Sequence, residues 1–322
     1  MEKDKQQTVP NVLKRLSLLL GTELKNRRLE IPEKFGKGYC TGFVFNQHIR
    51  MLISNYELKE DIIIKNPDLQ TSKRMIFFKF QNIFPKTEIV STKKHLLEMP
   101  SVLIATSSIN TDDVISIHTN TAVINIEVDA AYLNGLFNLS EKSPILQSLL
   151  LNTQPLLFEQ IMYPSLKRIV DDIIAGPIDE TFELFFLRVK AEELICRLLM
   201  ELEKRDEKQL YTLNSRDIQS LYKVKEQILE HLETPPQLNE LAVSANMSAS
   251  KLKRLFRQIF GYSIFSYYQD FRMKEAARLL KDEKLSVSDV GYQLGFTNLS
   301  HFSRVFNEHI GMKPKQYSRY QN

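Results

Sequence analysis

The C-terminal third contains the motif VSDVGYQLGF (287–296), followed by NLSHFSRVFNEHIGMKPKQYSRY (298–320), and this motif determines how that part of the chain folds. The same pattern occurs upstream in LAVSANMSASKLKRLF (241–256). The matching positions are Asn246, Met247, Leu252, Arg254 and Phe256, at +4, +5, +10, +12 and +14 from Ala242, and Gly295, Phe296, Phe302, Arg304 and Phe306, at +4, +5, +11, +13 and +15 from Gly291. The two series agree up to a one-residue insertion in the second copy. This repeat predicts a duplicated helix–turn–helix unit.

Each copy carries the residue types that a closely packed helix pair requires. A small residue lets the helices approach, an Asn or Gly in the turn tolerates a positive φ angle, an apolar residue fills the angle, and a capping residue starts the second helix. These positions are held by Ala242, Asn246, Met247 and Ser248 in the first copy and by Gly291, Gly295, Phe296 and Asn298 in the second. The predicted cores are Leu252, Leu255, Phe256 and Ile259, and Phe302, Val305, Phe306 and Ile310.

The opposite faces of the two second helices carry donors suited to phosphates and to base edges in a major groove. They are Ser250, Lys251, Lys253, Arg254 and Arg257 in the first copy and Ser300, His301, Ser303, Arg304 and Asn307 in the second. Charge follows the same division, because Asp217–Asn322 holds 15 Lys and Arg against 11 Asp and Glu, whereas the first 216 residues hold 28 of each. A solvated helix face is the alternative explanation of such a charge run, so the charge supports nucleic acid only together with the motif.

A third helix is predicted between the two copies. Ser263–Lys281 has 19 residues and contains neither Pro nor Gly. At 1.5 Å per residue it would span about 28 Å, close to the repeat of about 34 Å between successive major grooves on one DNA face. The spacing therefore indicates that the two second helices enter adjacent grooves.

With these motifs, Ile218–Tyr320 resembles the DNA-binding domain of the AraC/XylS family of bacterial transcription regulators. The resemblance implies double-stranded promoter DNA and RNA polymerase as partners, and an activator as the regulator type. It places base-reading roles on Ser250, Lys253, Arg254, Ser300, His301 and Arg304, and phosphate contacts on Ser248, Lys251, Arg257, Lys281, Asn298 and Arg319. A surface salt bridge is the alternative for Arg254, and a backbone or structural contact is the alternative for Arg304. Gly291 replaces the usual alanine and Asn246 a frequent glycine, and both keep the required geometry.

The preceding part of the chain predicts a different architecture. Short alternating runs separated by polar turns favour a β-rich barrel or sandwich over residues 35–128, and helical periodicity follows over 143–205, with helices at Pro155–Ile174 and Asp179–Arg205. The predicted fold class is therefore α+β, with an effector-binding or dimerisation domain at 1–205, a linker at 206–216 and the DNA-binding domain at 217–322. The wide apolar face of the last helix predicts burial on the barrel, on the neighbouring helix or on a second copy, and we expect a homodimer through the 155–205 helices.

The resemblance further implies that the N-terminal region binds a small-molecule effector or mediates dimerisation. A cluster of phenylalanines is the candidate effector pocket, with barrel core as the alternative; its members are Phe43, Phe45, Phe77, Phe78 and Phe80. The overall layout resembles the family branch that responds to ferric siderophores. A constitutive dimeric DNA-binding regulator without an effector is the alternative to an effector-responsive one.

Other function classes receive no support from the sequence. His48, His95 and His118 form no His-x-His pair, so we expect no metal site and no cofactor. Neither Cys40 nor Cys196 has the activating neighbours that a nucleophile requires, which argues against an enzyme such as a self-methylating DNA-repair regulator. Cys196 lies on the apolar helix and is predicted to be a buried packing residue. The polar N-terminus and the short Leu16–Leu20 run predict neither secretion nor membrane insertion, so a cytoplasmic location is expected.

Overall fold

The computed structural model describes residues 8–60, 62–65, 74–84, 99–107, 114–117, 120–137, 143–176, 178–205 and 210–319. The chain divides into two compact units, and the boundary lies between Asn214 and Ser215. The first unit is built around a β-sheet and the second is entirely helical over its described elements. The predicted α+β fold class, a β-rich region with helices followed by an all-α region, is confirmed.

The first unit begins with a helix, continues with strands and ends with helices. Its elements are α1 (Asn11–Leu20), β1 (Arg28–Glu30), β2 (Gly36–Val44), β3 (Ile49–Leu58), β4 (Ile62–Lys65), β5 (Met75–Gln81), β6 (Ser101–Thr106), β7 (Val114–Ile117), β8 (Asn120–Asp129), α2 (Ala130–Leu136), α3 (Pro144–Leu151), β9 (Leu157–Ile161), α4 (Pro164–Ile174) and α5 (Glu180–Glu203). Seven strands form one antiparallel sheet in the order β1-β2-β3-β8-β5-β6-β9, and β4 pairs with β7.

The two faces of this sheet bury separate hydrophobic clusters, because successive side chains on a strand point to opposite faces. On one face Phe78 lies opposite Ile126 of β8 and Ile104 of β6, and all three are buried. This cluster extends into α3, α4 and α5. On the other face α1 packs against the start of the sheet, where Leu13 and Leu16 join Cys40 in a smaller cluster.

The prediction of one helix over Pro155–Ile174 is wrong in its first half. Leu157–Ile161 is strand β9, which pairs with β6 so that Phe158 lies opposite Ile104 in the core. The helix begins only at Pro164, whose ring is compatible with the first helical turn. The apolar residues of this segment belong to an edge strand of the sheet. Its pairing with β6 is a long-range contact, which helical periodicity does not reveal.

The second helix of the predicted pair is close to its expected bounds. Asp179 caps α5 and its Oδ1 accepts a hydrogen bond from Thr181 N at 2.9 Å. Its predicted apolar face, however, is divided between two environments. Leu194, Leu198 and their neighbours are buried against the rest of the first unit. A stripe of large apolar side chains on the same helix is exposed. The stripe consists of Phe182, Phe185, Val189 and Met200, which are 63%, 70%, 45% and 60% exposed.

The second unit consists of seven helices among its described residues. They are α6 (Ser215–Glu230), α7 (Leu238–Ser244), α8 (Ala249–Phe260), α9 (Ile264–Lys281), α10 (Val287–Gln293), α11 (Leu299–Ile310) and α12 (Pro314–Tyr317). Helix α6 begins inside the range predicted as a linker. Of that range, residues 206–209 lie outside the described residues, and Leu213 is buried, with its N–H donating to Pro155 O at 3.3 Å.

None of the helices in the described ranges combines the length and the apolar composition that crossing a membrane requires.

Candidate nucleic-acid interface

The turns α7–α8 and α10–α11 repeat the same backbone hydrogen bonds. In the first turn the N–H groups of Ala245, Asn246 and Met247 donate to the carbonyls of Leu241, Val243 and Ala242, each at 3.0 Å. In the second the N–H groups of Leu294, Gly295 and Phe296 donate to the carbonyls of Val290, Tyr292 and Gly291 at 3.1, 2.9 and 2.9 Å. Asn246 and Gly295 adopt φ angles of 53° and 76°, as the spacing predicts. The two helix–turn–helix motifs are therefore equivalent in structure as well as in sequence.

Two glycines of the second turn are closely approached by neighbouring atoms. A Cβ on Gly291 would lie 2.6 Å from Leu299 Cδ2, so the end of the Leu299 side chain would have to shift. A Cβ on Gly295 would lie 2.0 Å from the Glu233 carbonyl oxygen in the α6–α7 connection. Gly295 thus serves both the positive φ angle and a close backbone contact.

The second helix of each pair begins with a side-chain cap. Ser248 Oγ accepts from Lys251 N at 3.3 Å, and Asn298 Oδ1 accepts from Ser300 N and His301 N at 2.9 and 3.0 Å. The inserted residue of the second copy is Thr297, which lies between the turn and the cap. Both caps use an acceptor atom only, which leaves the Ser248 hydroxyl proton and the Asn298 amide protons as donors for phosphate.

Helices α8 and α11 each bury one face and expose the other. Their buried positions are Leu252, Leu255, Phe256 and Ile259, and Phe302, Val305 and Phe306. The predicted base-reading residues all lie on exposed positions: Ser250, Lys253 and Arg254 on α8, and Ser300, His301 and Arg304 on α11. Arg257 is also exposed, on α8, as is Lys281 at the end of α9 and Arg319 after α12.

Lys251 differs from the other predicted phosphate contacts. Its Nζ lies 2.8 Å from Asp217 Oδ1 at the start of α6, and the Asp217 side chain is only 10% exposed. The pair joins the first helix of the unit to α8. A phosphate would therefore share this ammonium group with a carboxylate.

Helix α9 connects the two copies and uses much of its positive charge internally. Its 18 residues span about 27 Å. Lys274 pairs with Asp270 at 2.7 Å, and Arg278 pairs with Glu275 and Glu283 at 2.8 and 2.9 Å. These carboxylates raise the pKa of the Arg278 guanidinium, chiefly through the hydrogen bond to Glu275. Helix α8, by comparison, carries three exposed cations, Lys253, Arg254 and Arg257.

A family match falls within this helical unit. Residues 241–320 match the family described as "Helix-turn-helix domain". The HTH-type transcriptional regulator GbdR of Pseudomonas aeruginosa is 38% identical over 85 residues, which are 26% of this chain and 23% of that protein. The arabinose operon regulatory protein of Escherichia coli is 37% identical over 71 residues, 22% of this chain and 24% of that protein. The chain thus matches about a quarter of the length of these relatives.

Among solved structures, the C-terminal domain of AraT, a response regulator from Geobacillus stearothermophilus, is 26% identical over 32% of this chain and 85% of that chain, with a TM-score of 0.30. The C-terminal unit is an AraC/XylS-family helix–turn–helix domain. The resemblance predicted from the sequence is confirmed for this domain.

The AraC/XylS domain contains one structural residue that the sequence reasoning missed. Arg272 on α9 is 6% exposed, its Nε donates to Leu294 O at 2.8 Å and a second guanidinium nitrogen donates to the same oxygen. The guanidinium carbon lies 3.7 Å from the centre of the Phe296 ring. Arg272 therefore fastens the connecting helix to the second turn, and only its position among apolar residues on α9 hints at this role.

The five phenylalanines predicted as an effector pocket do not form one site. Phe43, Phe78 and Phe80 are buried in the larger hydrophobic cluster, and Phe45 packs against it. Phe77 lies next to Phe78 in the strand and therefore points to the opposite face of the sheet. The alternative reading as core describes Phe43, Phe78 and Phe80 correctly.

The two cysteines occupy contrasting environments. Cys40 is buried in β2, and burial raises the pKa of its thiol to about 12, so the thiolate that a nucleophile needs is disfavoured. Cys196 is exposed on α5, and its predicted burial is wrong. Within the described ranges no group of three His, Cys, Asp or Glu side chains could hold a metal ion; His95 and His118 lie outside those ranges.

Proposed function

We propose that the protein is a sequence-specific DNA-binding transcription regulator that reads two adjacent major grooves with α8 and α11. The observation that carries this proposal is the pair of structurally equivalent turns, each followed by a helix with a buried apolar face and an exposed donor face. Helix α9 joins them as a rigid element, because it is continuous and fastened to the second turn through Arg272. A rigid connection fixes the spacing and orientation of the two recognition helices, α8 and α11.

The roles of residues within this interface are carried over from the family resemblance. The base-reading set is Ser250, Lys253, Arg254, Ser300, His301 and Arg304, and the phosphate set is Ser248, Lys251, Arg257, Lys281, Asn298 and Arg319. Arginine can bind guanine through two parallel hydrogen bonds, which makes Arg254 and Arg304 the strongest candidates for base selection. Lysine acts on phosphate as a point charge, and replacing Lys251 should reduce the salt slope of binding by about one.

The test is DNA binding by the full chain to a site selected from random duplexes. Arg254→Ala should weaken binding to that site by about 1–3 kcal/mol and reduce the preference over a scrambled duplex. Lys37→Ala, which removes an exposed charge from β2 in the first unit, is the matched control and should change neither. Selection that enriches no sequence, or an Arg254→Ala protein with unchanged preference, would contradict the proposal.

Within the same proposal the first unit supplies regulation. We expect an effector-responsive activator that acts with RNA polymerase, and a ferric siderophore remains a candidate effector from the sequence resemblance. The exposed α5 stripe supports the predicted homodimer, since aromatic side chains with this exposure are typical of protein interfaces. A constitutive dimeric regulator is the second candidate, and a promoter reporter whose output is the same with and without every effector tested would favour it.

A further inference from the structure

We infer that Asp217, at the start of α6, sets how tightly the helix–turn–helix domain holds DNA of any sequence. Its carboxylate pairs with Lys251 of α8, whose Nζ lies 2.8 Å from Asp217 Oδ1. Lys251 is one of four cations on α8, so the pair offsets one positive charge of the proposed interface. The inference rests on the proposed function and adds to that interface a residue of opposite charge, which lowers the affinity.

The internal repeat places Lys251 at the same edge of its helix as a proposed base-reading residue. Lys251 and His301 each lie directly before the first core residue of their helix. Their backbone N–H groups both donate to the cap of that helix, Lys251 N to Ser248 Oγ at 3.3 Å and His301 N to Asn298 Oδ1 at 3.0 Å. Because His301 is exposed and belongs to the proposed base-reading set, its counterpart Lys251 also lies beside the DNA.

Burial fixes the carboxylate of the pair and leaves the ammonium group accessible. The Asp217 side chain is 10% exposed, whereas that of Lys251 is 39% exposed. Asp217 lies in the first turn of α6, where the helix dipole favours a negative charge. A phosphate can therefore approach Lys251, and it meets the field of the carboxylate at the same place.

The pair should contribute little net charge to DNA binding. An ammonium group donates three hydrogen bonds, so Lys251 can keep Asp217 and still donate to a phosphate. Its charge is nevertheless offset by the carboxylate beside it. Since the salt dependence of binding follows the positive charge that replaces counterions on the DNA, removing Asp217 should steepen that dependence and removing Lys251 should flatten it.

This effect should be equal on all sequences. The phosphate backbone is the same in every duplex, whereas base preference is assigned to other residues, among them the exposed Lys253 and Arg254. Asp217 thus differs from the base-reading set in what its loss changes: the affinity for DNA rises, and the preference for one sequence stays.

The experiment measures binding of the full chain to the selected duplex and to a scrambled one, by fluorescence anisotropy, between about 50 and about 200 mM KCl. Asp217→Asn should steepen the slope of log affinity against log salt by about 0.9, so that its gain in affinity is about three- to fourfold larger at the lower salt, on both duplexes. Lys251→Gln should flatten the slope by about 0.9, and the double variant should return to the wild-type slope.

Asp172→Asn is the matched control, because it removes a carboxylate that pairs with a lysine, Lys190, at 2.7 Å in the first unit. It should leave the slope unchanged. An Asp217→Asn protein with the wild-type slope, or an equal steepening in Asp172→Asn, overturns the inference.

Folding of each variant is checked by circular dichroism. If Asp217→Asn alone does not fold, the double variant is compared with Lys251→Gln, from which it differs only at residue 217, and the same difference of about 0.9 in slope is expected; equal slopes overturn the inference. Selection that enriches no sequence contradicts the proposed function instead, and the slope on the scrambled duplex still tests Asp217.

Discussion

Gly295 occupies the most restricted backbone position of the second turn. Its φ angle of 76° disfavours any side chain, and a Cβ there would meet the Glu233 carbonyl oxygen at 2.0 Å. We expect Gly295→Ala to lower the free energy of unfolding of the helix–turn–helix domain by about 3 kcal/mol or more, since positive-φ strain of about 1–2 kcal/mol adds to a backbone clash. Urea unfolding of the full chain measures the change.

Gly311 provides the matched control for that substitution. It has a φ angle of 84°, but a Cβ there would meet nothing within 4 Å. Gly311→Ala should therefore cost only the conformational part, about 1–2 kcal/mol. Equal losses in the two variants would mean that the contact with Glu233 has no energetic importance.

Individual residues differ in how far the sequence reveals their roles. Asn246 and Gly295 could be predicted because a turn of fixed length demands a positive φ angle at one position. Arg272 and Asp217 could not, since their partners are a carbonyl 22 residues away and a lysine 34 residues away. Local pattern carries no information about such pairings.

Among the elements, α9 depends on Arg272 for its attachment to the second turn. Arg272→Leu removes charged hydrogen bonds to Leu294 O and the contact with the Phe296 ring, and should destabilise the domain by about 2–4 kcal/mol. Burial lowers the pKa of this guanidinium, but no accessible pH neutralises it. Thermal unfolding followed by circular dichroism tests the loss.

Lys274, two residues further along α9, is the control for Arg272. It forms a partly exposed pair with Asp270, a geometry that contributes little. Lys274→Leu should cost less than about 1 kcal/mol. A comparable loss in both variants would show that α9 is held by its apolar face rather than by Arg272.

Element boundaries were predictable for α5 and α9, which are long and uninterrupted, and at the starts of α8 and α11, which a capping residue marks. Strand β9 was not predictable, because Leu157 and Phe158 carry the same apolar character whether they lie in a helix or at a sheet edge. The prediction that the phenylalanine cluster forms an effector pocket failed for a related reason. Adjacent residues on one strand point to opposite faces, so neighbours in sequence do not share a pocket.

For the whole molecule, the exposed α5 stripe leads to a prediction about assembly. If it is a dimer interface, Phe185→Glu should raise the dimer dissociation constant at least about tenfold, because a charge replaces a buried aromatic anchor. Sedimentation velocity over a concentration series measures this. Leu151→Glu, an equally drastic change at a 63% exposed leucine on α3, should leave assembly unchanged. A wild-type protein that sediments as a monomer throughout would exclude this interface.

The two reading helices, although built on the same turn, are chemically unequal. Helix α8 exposes Lys253, Arg254 and Arg257, whereas α11 exposes Ser300, His301 and a single arginine, Arg304. The domain therefore has one strongly cationic recognition helix and one weakly charged recognition helix, which makes its DNA-binding surface polar. On the proposed function, its binding site should be asymmetric, and reversing that site within a promoter should not be equivalent to leaving it in place. The difference in charge between the two recognition helices would then set the orientation of the protein on the DNA.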